Sequence, residues 1–146
     1  MNNWSNKVKL INGRRMVSSD DEDGGQLLGP ELIINGGFDV DANWVWGVGW
    51  AWNVNVASAT AAPAGSLAEQ NGGVVVGRQY RIVLTITART LGGVQIHIGT
   101  TLGAQRALPG TYSQDLFCTV STDFSMCAYA ASNTLSIDNV SVRQVL

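Results

Sequence analysis

Charge is scarce in this chain of 146 residues: Asp, Glu, Lys and Arg make up 14%, against about 25% in an average soluble domain. Long surface helices need Glu, Lys and Arg on their wet faces, so the shortage argues against a helical protein. Neither sign dominates, with 11 acidic and 9 basic side chains and a formal charge of −2. The basic stripe that neutralises phosphates is missing, which excludes a nucleic-acid binder. Apolar runs are short, and none approaches the roughly 18 residues of a membrane span. The start, Met1-Asn2-Asn3-Trp4-Ser5-Asn6-Lys7, lacks the apolar centre of a secretory signal. The expectation is a protein made and assembled in the cytoplasm.

Reactive side chains are few as well. The single histidine, His97, sits between Ile96 and Ile98 on the polar phase of an alternating segment. It reads as a surface side chain and not as a catalytic base. No Ser-x-x-Lys or Gly-x-Ser-x-Gly signature accompanies it, and no carboxylate pair stands out as acid and base. The chain is therefore expected not to be an enzyme. The two cysteines are Cys118 and Cys127. A turn centred on Thr122-Asp123 would set them opposite each other across a hairpin. That leaves a disulfide or two small buried thiols, and a reducing compartment favours the thiols.

What is abundant is glycine, 17 residues, set among apolar residues that make up 45% of the chain. From Glu31 onward, period-2 segments alternate with glycine breaks. Glu31 to Ile34, Trp50 to Val56, Ser66 to Gln70, Tyr80 to Thr87 and Val94 to Ile98 read as strands. Thr111 to Thr119, Phe124 to Ala130 and Leu135 to Val145 complete the set. Gly72-Gly73 and Gly92-Gly93 read as hairpin turns, and Gly99-Thr100-Thr101 as another turn. Eight or nine short strands at about ten-residue spacing predict an all-β antiparallel sandwich over 31–146.

Residues 1–30 differ from the rest. Lys7, Lys9, Arg14 and Arg15 are followed by the acidic run Asp20 to Asp23 and by Gly24-Gly25. Asn12-Gly13 lies between two β-prone runs, the strongest short hairpin signal. An isolated hairpin is marginal in water, so this segment is expected to be an extended N-terminal arm lying on the sandwich or on a neighbouring subunit.

Three segments carry a resemblance. They are Glu31-Leu32-Ile33-Ile34-Asn35-Gly36-Gly37-Phe38-Asp39 with Trp44 and Gly47-Val48-Gly49-Trp50, then Val76 to Leu84, then Leu135-Ser136-Ile137-Asp138-Asn139-Val140-Ser141-Val142-Arg143. Together they resemble the carbohydrate-binding-module-like, galactose-binding-like jelly rolls of tailed-bacteriophage virion proteins. The resemblance covers about 31–146 and implies a sandwich of jelly-roll type. It also implies that Phe38, Trp44 and Trp50 are core. Trp46 and Trp52 are left as candidate contacts for a glycan or a protein partner, because an exposed indole face stacks on a sugar ring. Asp39 and Asp138 match the place where related modules hold a structural calcium, and are its candidate ligands. Their alternative role is to cap turns, with no cofactor at all.

The function implied is that of a virion structural protein, first a capsid decoration or cement protein. Lys7, Lys9, Arg14 and Arg15 would anchor it to a major capsid or other virion protein. A homo-oligomer follows, with a trimer among its forms. The alternative is a tail-fibre or head-fibre module that binds a receptor or glycan. The same fold hosts both.

Overall fold

The computed structural model describes residues 22–23, 26–71, 73–120 and 122–146. Lys7, Lys9, Arg14, Arg15 and the Asn12-Gly13 turn lie outside the described residues. Among the described residues there are twelve strands and no helix. They form two antiparallel sheets packed face to face, so the predicted sandwich is present.

In chain order the strands are β1 (Glu22–Asp23), β2 (Gln26–Glu31), β3 (Val45–Trp46), β4 (Trp50–Trp52), β5 (Ala57–Ala62), β6 (Leu67–Asn71), β7 (Gln79–Leu91), β8 (Val94–Ile98), β9 (Thr101–Arg106), β10 (Gly110–Phe117), β11 (Asp123–Ala128) and β12 (Asn133–Val145). The five-stranded sheet runs β3-β6-β11-β8-β9. The seven-stranded sheet is organised by β12. One edge of β12 pairs with β7, which pairs with β10; the other edge takes β5 and then β2.

Alternation explains the core. Tyr80, Ile82, Leu84 and Ile86 of β7 face Val94, Ile96 and Ile98 of β8 and Phe124, Met126 and Ala128 of β11, all buried. In β12 the apolar phase flips from Leu135 and Ile137 to Val140 and Val142. The chain accommodates the flip with a bulge between Asp138 and Ser141, where Asn139 takes a φ of 54°. A bulge of this kind puts two residues opposite one and restores the inward phase. Phe38, fully buried, closes one end between Trp44 at 5.2 Å and Trp46 at 6.3 Å. Trp44 and Trp50 are buried as expected. Their indole N–H groups donate to the carbonyls of Asn35 and Ser66.

Several expectations are corrected. The strand expected at 31–34 lies instead at Gln26–Glu31, β2, after the short β1. It pairs with β12, so residues 26–30 join the sandwich instead of the arm. Glu31 ends it as a clamp: Oε1 accepts the N–H groups of Ile33 (3.0 Å) and Val142 (2.8 Å), and Oε2 accepts from Ser141 Oγ. The expected strand 50–56 breaks at Val54 and Asn55, both at positive φ, into β4 and β5. The glycine pairs at 72–73 and 92–93 do not close hairpins. β6 and β8 belong to one sheet and β7 to the other, so these short connections cross the sandwich. Gly72 itself is outside the described residues. For the same reason Cys118 and Cys127 do not oppose each other across a hairpin, since β10 and β11 lie in different sheets. Among the described residues neither is in a disulfide; both thiols are buried, and burial pushes both of their pKa values up.

The outer face of the seven-stranded sheet carries a row of charges at one register: Asp115, Arg81, Arg143 and Glu31. The Arg81 guanidinium grips the Asp115 carboxylate with two hydrogen bonds, Nε to Oδ1 at 2.7 Å and Nη2 to Oδ2 at 2.8 Å. That fork holds the Asp115 carboxyl below the usual carboxylate range, against the opposing effect of burial.

Candidate functional site

A cleft of about 410 Å³ opens where the β3–β6 edge of the five-stranded sheet meets two loops. Val45, Trp46, Ser66, Leu67 and Glu69 line it, with the backbone of Gly47-Val48 and of 63–65. Local sequence dictates the shape. The Gly47 N–H donates to the Leu67 carbonyl at 2.7 Å, and Ser66 Oγ donates to the Val48 carbonyl. A side chain on Gly47 would collide with the Leu67 carbonyl, so only glycine lets the loops lie this close.

Trp46 is the cleft's aromatic wall. It is half-buried, and its ring stacks on Trp44 at 6.1 Å between centroids and 16° between planes. Its indole N–H donates to Asp41 Oδ1 at 3.1 Å. The ring is thus pinned by stacking behind and by a carboxylate at its edge, which removes the entropy cost of ordering it for a ligand. Glu69 lies across the floor, paired in register with Val45.

Glu69 also opens a row on the outer face of the sheet, beyond the lining of the cleft. Glu69 of β6 is in register with Ser125 of β11, Ser125 with His97 of β8, and His97 with Leu102 of β9. Two strand spacings, about 10 Å, separate Glu69 from His97. His97 Nε2 is buried, with no hydrogen-bond partner among the described residues. Burial lowers the His97 pKa, so the imidazole stays neutral. A buried, unpaired ring nitrogen costs free energy that an arriving hydroxyl group would recover.

Acid should therefore destabilise the fold in two steps. The His97 step sets in as pH falls below the ordinary histidine value of about 6.5. There the unfolded chain takes a proton that the folded chain resists, and the loss levels off below the folded pKa. The Asp115 contribution is intact above about 3.9 and disappears as pH falls through the lower folded value. Melting temperatures measured from pH 8 to pH 2 should show both steps. His97→Gln should abolish the first and Asp115→Asn the second; the first step surviving in His97→Gln, or the second in Asp115→Asn, would contradict these assignments.

Trp52 stands apart from Trp46. It belongs to β4 in the other sheet, is half-buried, and donates its indole N–H to the Phe38 carbonyl at 2.7 Å. The structure does not gather the two indoles into one platform. Sequence reasoning passed over Glu69, Ser66 and the 63–65 loop, although the cluster Pro63-Ala64-Gly65 is an evident turn signal.

Asp39 and Asp138 do lie on segments that meet, since the Val140 N–H donates to the Gly36 carbonyl at 2.9 Å. The groups there do not fit a calcium ion. The Asn35 amide nitrogen, a donor, occupies the loop and bonds the carbonyls of Val40 and Ala42, each at 2.8 Å. The Gly36 carbonyl is already taken, and Asp138 Oδ1 accepts the Asn139 N–H at 2.7 Å. Ca²⁺ requires six to eight oxygens. Among the described residues no three His, Cys, Asp or Glu side chains converge on a metal position. Asp138 acts as a turn cap.

No protein-family model matches this sequence, and no curated protein matches it. Solved structures do. One is described as "CBM4 structure and function": 16% identity, 77% of this chain and 99% of that one covered, TM-score 0.51. Another is "Mannan Binding Module from Man5C in bound conformation": 19% identity, 71% and 93% covered, TM-score 0.49. The likeness is one of fold. It sets the two-sheet sandwich beside carbohydrate-binding modules, and nothing in it points to a phage.

Proposed function

We propose that this chain is a non-catalytic saccharide-binding module whose binding surface is the Trp46 cleft together with the row from Glu69 to His97 beside it. The single observation that carries the reading is the pinned Trp46 ring beside Glu69 and Ser66 in a cleft of about 410 Å³. A pyranose ring has an apolar C–H face and a polar rim. An indole face suits the first, and a carboxylate and carbonyls accept hydrogen bonds from the second. The module described as CBM4, which shares the fold, supports the same class of ligand. Affinity electrophoresis on soluble β-glucan, xylan and mannan tests it. Retardation by at least one polymer is expected, and Trp46→Ala should weaken it at least tenfold while keeping the parent's far-ultraviolet circular dichroism at the temperature of the gel. Equal migration in all gels with the folded parent protein would sink the reading.

The second reading is a capsid decoration protein tied to a major capsid protein through residues 1–30. Its support is the resemblance of the three segments, together with β1, which extends the seven-stranded sheet beyond β2. On that reading the chain sits on a virion, and the alternative fibre role and the saccharide cleft describe the same surface.

A further inference from the structure

The segment between β2 and β3 is fastened by something other than a sheet. Residues 35–43 contain no strand, yet they place Phe38 in the core and Asp41 at the edge of the Trp46 ring. Asn35, Phe38 and Asn43 hold positive φ there, at 59°, 54° and 73°. Local preference does not favour that conformation in a phenylalanine, so bonds across the loop must impose it.

Asn35 makes those bonds. Its Nδ2 donates to the carbonyls of Val40 and Ala42, each at 2.8 Å, and its Oδ1 accepts the Asp39 N–H at 3.0 Å. Its own carbonyl accepts the Phe38 N–H at 3.2 Å and the Trp44 indole N–H at 3.1 Å. Both halves of the loop are thus gathered around one residue. The position of Nδ2 has a definite chemistry. Two carbonyl oxygens converge on it, and the same loop carries the exposed carboxylates of Asp39 and Asp41. Oxygens that converge in this way repel each other unless something positive lies between them. A hard cation is one answer to that need. Here the two N–H groups of a single amide supply the positive charge, one to each carbonyl.

We infer that the Asn35 amide stands in for a bound cation, at a position that becomes a divalent-cation site when a carboxylate oxygen replaces its two N–H donors. The loop, and through Asp41 one edge of the Trp46 ring, is set without metal. The inference does not use the saccharide reading above and holds whatever the cleft binds.

The test compares the full chain with Asn35→Asp and Asn35→Ala by thermal melting, each in EDTA and in millimolar calcium. The parent should melt at the same temperature in both. Asn35→Asp sets an oxygen against two carbonyls. In EDTA it should melt about 6 °C lower, and the near-ultraviolet circular dichroism of its tryptophans should weaken. Calcium should restore at least half of both losses. Asn35→Ala has neither donor nor carboxylate, so it should melt lower by a similar amount and gain nothing from calcium. That contrast separates a cation position from the plain loss of a turn bond. A parent that melts lower in EDTA than in calcium would reveal a resident cation and overturn the inference. It would also be overturned if Asn35→Asp melts like the parent in EDTA, if calcium leaves Asn35→Asp unchanged, or if calcium raises Asn35→Ala as much as Asn35→Asp.

Discussion

Replacing Asn133 with Leu should remove about 4 kcal/mol or more of stability. Asn133 is fully buried, and its amide makes four hydrogen bonds to the backbone. Oδ1 accepts the N–H groups of Gly93 (3.0 Å) and Ala130 (3.2 Å). Nδ2 donates to the carbonyls of Ala62 and Ala130, both at 2.7 Å. These partners come from the end of β5, the β7–β8 crossing and the β11–β12 loop, three segments that share no strand ladder at this point. One side chain thus does there what a sheet does elsewhere. Leucine fills the volume and supplies none of the bonds. Each orphaned backbone group costs about 1–3 kcal/mol, and a domain of this size holds only about 5–15 in all. Thermal unfolding followed by circular dichroism should show the midpoint down by more than about 12 °C, at about 3 °C per kcal/mol. Hydrogen exchange at the Gly93 and Ala130 amides, which lose their acceptor, should rise in Asn133→Ala. A fall of under 3 °C in Asn133→Leu would mean that water or a neighbouring group replaces the amide.

Asn133 also marks the limit of what the sequence reveals. It lies in Ala131-Ser132-Asn133, which reads as a turn signal because Asn tolerates turns. That its amide is buried and four times bonded depends on which carbonyls arrive from elsewhere in the chain. Long-range placement was hidden at the glycine connections too. Gly92-Gly93 was legible as a break, but a break does not say whether the next strand returns to the same sheet. The central strands were legible because they are buried on one face, and burial writes a period of two: every second residue of Tyr80 to Ile86, Val94 to Ile98 and Leu135 to Ile137 faces inward. Edge strands escape that rule. β9, Thr101–Arg106, is polar and contains Gly103, and β3 is two residues long. The candidate cleft was half legible. Trp46 stands out as an aromatic without a core assignment. Its companions Ser66 and Glu69 come from a segment that reads as a weak strand, and only the approach of the Gly47 and Leu67 backbones makes them neighbours.

Gly36→Ala should cost about 3 kcal/mol, and Gly37→Ala next to it almost nothing. The two glycines look alike in the sequence, and either could serve a turn. Gly36 is required for a different reason, because a Cβ on it would sit on the Val140 carbonyl oxygen and within 3.3 Å of Ile33 Cγ2. The same contact holds the Val140 N–H to the Gly36 carbonyl at 2.9 Å, the bond that fastens the opening loop to the bulge of β12. Alanine must push the two backbones apart, which breaks that bond and lifts Phe38, two residues on, from its fully buried place. Overpacking of a tight site costs about 1–3 kcal/mol, and a lost buried hydrogen bond adds about 1. A Cβ on Gly37 meets only Asp39 Oδ1, at 3.7 Å, an ordinary contact. The midpoint of Gly36→Ala should fall by about 9 °C and that of Gly37→Ala by under 2 °C. Near-ultraviolet circular dichroism should report the disturbance at Trp44 and Trp46 in the first variant alone. If both variants melt alike, the opening loop is not fastened through Gly36, and the meeting of the two turns at Gly36 and Val140 contributes nothing to holding Phe38 in the core.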